Sequence, residues 1–513
     1  MDAILGQAID SGAVIAANPA PLASTVMPPV ASPVASPVKF DVGSFRDRSA
    51  RVFESEQAIY RTLNQESSEA WKRVSCQDFF QRRMSTGQII PTTELSDSEI
   101  RRFLFPTEVT GVLKHERIPF ISYPYEWPFA LLKRATLLQL DLLAEAMTHQ
   151  VMLKDSTPYN IQFRGTQPVF IDIGSFIPLV PNEPWLAYRQ FCELMLFPLL
   201  LQAYRGIHFQ SVLRAQLEGI PAKQFLQWIR WRDLFRPGVF TNGWLHAALE
   251  RNAQQVSTST VTDLKSSGFQ SQMIQQMLKK LTRLVERLEW NPAATQWAAT
   301  QWANYDESLP HVAEDLQAKS DFVRNVCQTH RRTLVWDLGC NDGRFSRIAS
   351  EFATTVIALD QDHGCIERLC KSLEPEQRVI LPLCMDLANP SPGQGWRGQE
   401  RRRLEERGEP DLVLCLGLIH HLVLAANIPL PDVVGWLASL GGELLLEFPS
   451  KRDAMVKGLL RNKRDQYADY SLEHLVQELQ KSFQIVRQVS LPSGERTLFH
   501  AIPQGKSKSA DGA

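Results

Sequence analysis

The sequence predicts an α/β fold whose last third forms a doubly wound parallel sheet, and three observations carry that prediction. From Thr333 onward, apolar strand-like runs alternate with helix-like ones, as in "TLVWDLG", "TTVIALD" and "RVILPLCMD". Such alternation is typical of a parallel sheet with helices on both faces. The string "VWDLGCNDGRFS" begins as a buried strand and ends as a helix, so a sharp turn must join the two. An acidic residue also ends each of the first three strands.

The chain of 513 residues exceeds what one hydrophobic core usually serves, which predicts two or three domains. The Ala- and Pro-rich start has no apolar period, so a disordered arm is expected over 1–39. Aromatic and leucine-rich stretches predict a packed domain over 40–250. A polar segment followed by an amphipathic helical pattern predicts a linker and helical connector over 251–318. The doubly wound domain is expected over 319–503, and a disordered tail over 504–513.

The composition is that of an ordinary soluble globular protein, with 44% hydrophobic residues, 22% charged residues and a formal net charge of -1. Nothing in it indicates a nucleic-acid partner. The eight cysteines form no close pairs, and residues 1–38 contain no Lys or Arg, which favours a cytoplasmic protein without an export signal. Two histidines interrupt the longest apolar run, "LVLCLGLIHHLVLAANIPL", so no membrane insertion is expected.

The turn after the first strand is suited to a bound ligand. Ligands of open parallel sheets bind at the carboxyl ends of the strands, where the strand order reverses, and Asp337 lies at such an end. Gly339 and Gly343 let the backbone pass close to a ligand, and Asn341 tolerates an unusual turn conformation. The pattern therefore predicts close approach of a ligand to this turn.

The next strand ends predict how a nucleotide would be held. Asp360 ends the second strand, where a carboxylate can accept hydrogen bonds from both hydroxyls of a ribose. Asp386 ends the third strand and could accept from an adenine amino group, while Leu387 offers a backbone donor to the ring. The fourth strand finishes in "LGLIHHL".

Together these four strand-end features resemble class I S-adenosylmethionine-dependent methyltransferases, over roughly Lys319 to Pro503. The resemblance implies a Rossmann-like sheet, S-adenosylmethionine as cofactor, and binding by the residues just described: Asp337, Gly339, Asn341, Gly343, Asp360, Asp386 and Leu387. A nicotinamide or flavin site is the main competitor, since it uses a similar turn to hold a pyrophosphate. The Asp337 carboxylate would repel a pyrophosphate but suits a ligand with an ammonium group and a sulfonium charge.

His420 and His421 follow the fourth strand, close to where the transferred methyl group should project. One of them can act as a base or orient the acceptor, or else one packs while the other caps the next helix. The arginine-rich insertion 391–410 is open to two interpretations, as an anion site or as a solvated surface helix. The segment after the fifth strand, with Arg452 and Tyr467, is expected to contribute to the acceptor pocket.

A second signature, "VMLKDSTPYNIQFRGTQPVFIDIGSF", lies in the first half. It resembles the catalytic loop and metal-binding Asp of protein-kinase-like and aminoglycoside-phosphotransferase-like folds, which implies an α+β kinase-like domain that uses ATP and Mg²⁺. The resemblance assigns Asp155 as the base, and Asn160 and Asp172 as the magnesium ligands. No glycine-rich phosphate loop is evident, and Lys72 and Lys114 are candidates for the nucleotide-binding lysine. A strand hairpin whose acids cap turns is the simpler interpretation.

These patterns support three functions. The first is a methyltransferase with a small-molecule or glycan acceptor. The second is a bifunctional kinase and methyltransferase that modifies a glycan or related metabolite. The third is a non-catalytic protein that binds nucleotide and S-adenosylmethionine. The oligomeric state is not predicted.

Overall fold

The computed structural model describes residues 36–55, 58–180, 183–244, 270–292, 310–373 and 377–505. Most of the predicted arm and tail, and much of the predicted linker, lie outside these ranges. The described part of the arm is not free of structure, because Ser36–Pro37 form a short strand parallel to Phe103–Leu104.

The N-terminal domain contains ten strands: β1 Ser36–Pro37, β2 Val52–Ser55, β3 Ala58–Leu63, β4 Thr92–Glu94, β5 Phe103–Leu104, β6 Gly111–His115, β7 Val151–Leu153, β8 Ile161–Arg164, β9 Gln167–Phe170 and β10 Phe176–Pro178. Its main sheet is antiparallel, in the order β2-β3-β6-β4. Strands β8 and β9 form a hairpin, and β7 pairs with β10. The domain is therefore α+β, as expected.

Nine α-helices accompany these strands in the described residues: α1 Gln65–Ser75, α2 Asp78–Ser85, α3 Asp97–Ile100, α4 Phe129–Thr148, α5 Tyr188–Phe191, α6 Phe197–Arg205, α7 Phe209–Ala215, α8 Ala222–Trp228 and α9 Gln270–Arg287. Helix α4 is apolar on most of its surface, as expected of a helix enclosed by the domain core. Helix α9 packs against α4, and Lys133 of α4 donates hydrogen bonds to the carbonyl oxygens of Glu286 and Leu288. This part of the predicted connector thus belongs to the core of the N-terminal domain.

The C-terminal domain is built on a seven-stranded sheet: β11 Arg332–Leu338, β12 Ala353–Asp360, β13 Ile380–Cys384, β14 Leu412–Cys415, β15 Glu443–Pro449, β16 Phe483–Ser490 and β17 Arg496–Pro503. The order is β13-β12-β11-β14-β15-β17-β16, in which β17 is antiparallel to both neighbours and the other pairs are parallel. The α/β doubly wound prediction is confirmed. The antiparallel pair β16–β17 was not predicted.

Helices cover this sheet: α10 Pro310–Cys327, α11 Arg344–Ser350, α12 His363–Ser372, α13 Leu430–Ser439, α14 Ala454–Leu460 and α15 Leu472–Ser482. Helix α10 begins before the expected domain start at Lys319. Helix α12 begins after Asp362, whose carboxylate accepts hydrogen bonds from the amides of Gly364 and Cys365.

The two faces of the sheet have different coverings, since neighbouring residues of a strand point to opposite faces. On one face, Val323 of α10 packs in a core with Val335 and Val356. On the other face, Trp336 belongs to the same core as the N-terminal domain, and its ring meets Phe120 edge-on at a centroid distance of 5.8 Å. The N-terminal domain therefore covers part of the C-terminal sheet.

Two buried polar contacts also join the domains. Arg407 donates hydrogen bonds of 2.8 and 2.7 Å to the Glu126 carboxylate, and the amide of Ala130 donates one of 3.0 Å to Glu367. The two domains are packed as one unit through these contacts and the shared core. Within the described ranges, no helix combines the length and apolar character needed to cross a bilayer.

Candidate functional site

A cavity of about 1090 Å³ opens at the carboxyl ends of β11, β12, β13 and β14. Its walls come from the turn after β11, the β12–α12 junction, the segment after β13 and the segment after β14. Between β11 and β14 the strand order reverses, which is where doubly wound sheets bind ligands. The fold thus places a cavity where the sequence predicts one.

The turn after β11 has a backbone that few residues can adopt. Gly339, Asn341 and Gly343 have φ angles of +77°, +52° and +82° in this turn. At Gly343 a Cβ atom would also lie 2.6 Å from a methyl group of Leu369. Glycine is therefore required there, and Gly339 and Asn341 line the cavity with little side chain in the way.

Asp337 lies beneath this turn and is not among the residues that line the cavity. Its carboxylate accepts a hydrogen bond of 2.5 Å from the Ser346 hydroxyl of α11, and burial raises its pKa to about 7. Direct contact of Asp337 with a ligand ammonium group stays a prediction. The residue fixes α11 against β11.

Asp360 lies at the edge of the cavity and ties two turns together. One carboxylate oxygen accepts from the Asn341 amide and the other from the Asp362 amide, both at 2.8 Å. Burial raises its pKa. A carboxylate has about four acceptor positions, so Asp360 can accept further hydrogen bonds from ligand hydroxyls.

The segment after β13 forms an adjoining wall. Met385, Asp386 and Leu387 line the cavity, and Asp386 is exposed whereas the other two are buried. One Asp386 oxygen accepts a 2.9 Å hydrogen bond from the Ala388 amide. This wall offers an apolar surface beside a carboxylate, a combination that suits a flat base with an amino group.

His420 and His421 both line the cavity, with ring centroids 4.2 Å apart. Burial lowers the pKa of both imidazoles, and the positive charge of Arg496 lowers it further. Both rings therefore stay neutral near pH 7, so each can accept a proton. The alternative was that one histidine packs while the other caps the next helix. His420 is indeed buried, but it makes no side-chain cap hydrogen bond to the helical turn His421–Ala425.

Two cavity residues, Lys319 of α10 and Arg496 of β17, were missed by sequence reasoning. Both bind the buried Glu447 carboxylate, at 3.1 and 3.0 Å. Burial alone would raise the pKa of Glu447, but these two cations lower it to about 2. No local pattern reveals them, because the chain brings together residues that lie far apart in the sequence.

A second cavity, of about 1680 Å³, lies beside the main N-terminal sheet. It brings together the three predicted kinase-like residues, Asp155, Asn160 and Asp172. Asp172 is bound by Arg61 of β3 at 2.8 Å and accepts a 3.3 Å hydrogen bond from Asn160. Burial and the charge of Asp172 raise the pKa of Asp155.

Asp172 is paired with Arg61 and accepts a hydrogen bond from Asn160, so a magnesium ion would compete with the guanidinium for this carboxylate. In the described residues, no group of three or more His, Cys, Asp or Glu could hold a metal. The assignment of Asn160 and Asp172 as magnesium ligands stays a prediction. Lys72 and Lys114, the candidate nucleotide-binding lysines, do not line the cavity. Arg61, by contrast, lines the cavity and pairs with Asp172.

The arginine-rich insertion 391–410 forms no long helix and packs in part on the N-terminal domain. There Arg402 pairs with Asp41, and Arg401 lies 4.2 Å above the ring of Tyr159. Arg401 and Arg402 also line the second cavity, whereas Arg397 and Arg403 are exposed. In the segment after β15, Arg452 lines the first cavity but Tyr467 does not.

No protein-family model matches the sequence. The chain is 31% identical over 459 residues to nodulation protein NoeA of Rhizobium meliloti (strain 1021), a match that covers 89% of this chain and 94% of that protein. Among solved structures, the N-methyltransferase NodS from Bradyrhizobium japonicum WM9 in complex with S-adenosyl-l-homocysteine is 13% identical, covering 40% of this chain and 94% of that one, with a TM-score of 0.29. Magnesium protoporphyrin IX methyltransferase (ChlM) from Synechocystis PCC 6803 with bound SAH is 16% identical, covering 40% and 95%, also with a TM-score of 0.29.

Proposed function

The chain belongs to the family of the nodulation protein NoeA, and we propose that it is an S-adenosylmethionine-dependent methyltransferase acting on a small-molecule or glycan acceptor. The observation that carries the proposal is the Asp360 carboxylate, which ends β12 at the edge of a cavity where the strand order reverses. A nicotinamide or flavin site is the alternative. Asp342 lines the cavity at the turn and would repel a pyrophosphate, whereas Arg344, at the start of α11, also lines the cavity and would attract one.

The residues present fit the cofactor. Asp360 would hold the ribose hydroxyls, while Asp386 and the backbone of Leu387 would flank the base. The turn at Gly339 and Asn341 leaves room for close approach of the backbone. When bound, S-adenosylmethionine supplies a methyl group on a positively charged sulfur for transfer to a nucleophile.

The acceptor side of the cavity is formed by His420 and His421, with Arg496 and Lys319 behind them. A neutral imidazole can take the proton of an acceptor hydroxyl or amine, which fits a glycan or small-molecule nucleophile. Holding the acceptor in line with the methyl group is the other contribution of these walls.

We expect His421→Ala to lower kcat about 100-fold or more, the usual range for loss of a general base. Cofactor affinity should stay within a factor of about two, because the change removes no group proposed to hold the nucleotide. The matched control is His474→Ala, which makes the same change on α15 outside the cavity. An unchanged kcat in His421→Ala would remove this residue from the mechanism.

The pH profile gives a second readout of the same residue. Because burial lowers the pKa of His421 below 6.5, the active neutral form persists to lower pH than for a free histidine. Methyl transfer should therefore be constant near neutrality and fall only as the pH drops below about 6.5. In His421→Ala this fall in rate at low pH should disappear. If the fall is retained, the titrating group is a residue other than His421.

The proposed activity is tested by incubating the full chain with methyl-labelled S-adenosylmethionine and an extract of the source cells. We expect label to enter a small molecule or glycan, and Asp360→Asn to abolish the transfer. Absence of any labelled product, together with absence of cofactor binding, would contradict the proposal.

A second candidate is a bifunctional protein whose N-terminal cavity transfers or binds phosphate groups. The observation that favours it is the meeting of Asp155, Asn160 and Lys154 around one cavity. With γ-labelled ATP, tested with and without Mg²⁺, transfer of label to an acceptor that is lost in Asp155→Asn would support phosphoryl transfer. Binding of ATP without phosphate transfer would favour the non-catalytic alternative. Absence of ATP binding would exclude both phosphoryl transfer and nucleotide binding at this cavity.

A further inference from the structure

One residue of the N-terminal domain, His208, lines the cavity at the ends of the C-terminal strands. It immediately precedes α7, and its ring centroid lies 4.1 Å from that of His363, the first residue of α12. The ring of Trp290, which follows α9, meets that of His208 edge-on, with a centroid distance of 5.3 Å. The cavity wall beside Asp360 is thus completed by a residue from the other domain.

Helix α7 is held by its own domain and by one C-terminal segment that forms the cavity. At its start, Gln210 donates a buried hydrogen bond of 2.7 Å to the carbonyl of Trp127, in the N-terminal domain. At its end, Arg214 donates to the carbonyl oxygens of Asn389 and Pro390, at 3.0 and 2.9 Å. These last two residues directly follow the wall formed by Asp386–Ala388. The helix therefore lies against the segment after β13, and His208 before it contacts His363 of α12.

The surface that His208 offers is flat and uncharged. Both of its ring nitrogens are buried, while the residue as a whole is partly exposed. Burial lowers the pKa of His208, and burial together with His208 lowers the pKa of His363 to about 3. Two neutral aromatic rings therefore lie at this end of the cavity, and such rings stack favourably on a planar base.

We propose that His208 of the N-terminal domain forms one wall of the subsite for the purine base of the cofactor. The inference rests on the proposed function, since it assumes an adenosine-containing ligand whose ribose lies at Asp360. It adds that the binding site is composite, so neither domain holds the nucleotide alone. The N-terminal domain then contributes directly to cofactor binding by the methyltransferase.

The test compares His208→Ala with His208→Phe in the full chain by calorimetric titration. The probes are S-adenosylhomocysteine and 5′-methylthioadenosine, which share the nucleoside but differ in the amino-acid end. We expect His208→Ala to weaken both ligands by a similar factor, roughly tenfold, because a stacking surface is lost. His208→Phe keeps a flat ring and should stay within about threefold of the unmodified chain.

The thermal unfolding midpoint of each variant shows whether weaker binding comes from the missing ring or from a destabilised fold. His474→Ala is the control for a histidine-to-alanine substitution outside the cavity. Equal affinity of His208→Ala and the unmodified chain would overturn the inference while leaving the proposed function intact. An equal loss in His208→Phe would also overturn it, because stacking would not then be the role of the ring. Failure of the unmodified chain to bind either probe would overturn both proposals.

Discussion

Asp360→Asn is expected to weaken S-adenosylhomocysteine binding by about 100-fold or more, because the cofactor loses hydrogen bonds to a charged acceptor. The carboxylate already accepts from the amides of Asn341 and Asp362. An asparagine side chain has one acceptor oxygen and one donor NH₂ group, so it cannot accept from both amides and from a ribose as well. The substitution therefore removes the ribose contact and weakens the hydrogen bonding that holds the turn at Asn341.

Calorimetric titration of the full chain measures this effect. Asp432→Asn is the matched control, since it makes the same change on the exposed start of α13, away from the cavity. We expect a few-fold loss at most in Asp386→Asn, because an exposed hydrogen bond contributes less than a buried charged one. Unchanged affinity in Asp360→Asn would show that the ligand does not lie at the end of β12.

Arg407→Ala should lower the free energy of unfolding by about 3–5 kcal/mol, the cost of leaving a buried partner charge uncompensated. The side chains of Arg407 and Glu126 are 0% and 1% exposed. Arg407 also donates to the carbonyl of Ile121 and lies 5.0 Å from the ring centroid of Phe120. Its loss would leave the Glu126 carboxylate in the interface with only the Ser391 hydroxyl as a side-chain donor among the described residues.

Urea unfolding of the full chain tests the size of this effect. Arg403→Ala is the control, because the ion pair of Arg403 with Glu406 is 61% and 49% exposed and should contribute less than about 1 kcal/mol. The double change Arg407→Met with Glu126→Leu should recover much of the loss, since it removes both charges together. A loss below about 1 kcal/mol in Arg407→Ala would show that the two domains do not depend on this pair.

The cofactor end of the cavity could be predicted from the sequence because its signals are local. A glycine turn that follows an apolar strand, and an acid that ends the next strand, need no knowledge of distant residues. Asp337 differs because its direction depends on packing. It shares a face of β11 with Val335, on the side covered by helices, where its carboxylate accepts a hydrogen bond from Ser346.

The domain interface could not be predicted because its contacts join distant parts of the chain. Arg407 and Glu126 are 281 residues apart in the sequence. A run of arginines indicates that acidic partners are present but not which ones, so the sequence leaves insertion 391–410 open to two interpretations, an anion site or a solvated surface helix. The same limit applies to His208, whose place beside His363 follows from the docking of α7.

The N-terminal signature was only partly informative. The spacing of Asp155, Asn160 and Asp172 predicted residues that do meet at one cavity. The sequence does not reveal Arg61, because this residue lies in a short strand without a distinctive pattern. The comparisons give no support to a kinase-like fold, and this interpretation stays a prediction.

A crystal structure of the full chain with S-adenosylhomocysteine tests the central claim most directly. We predict that the ligand lies across the carboxyl ends of β11, β12 and β13, with its ribose hydroxyls bound to Asp360 and its base between Leu387 and His208. Ligand density at another place, or a ribose turned away from Asp360, would contradict the account.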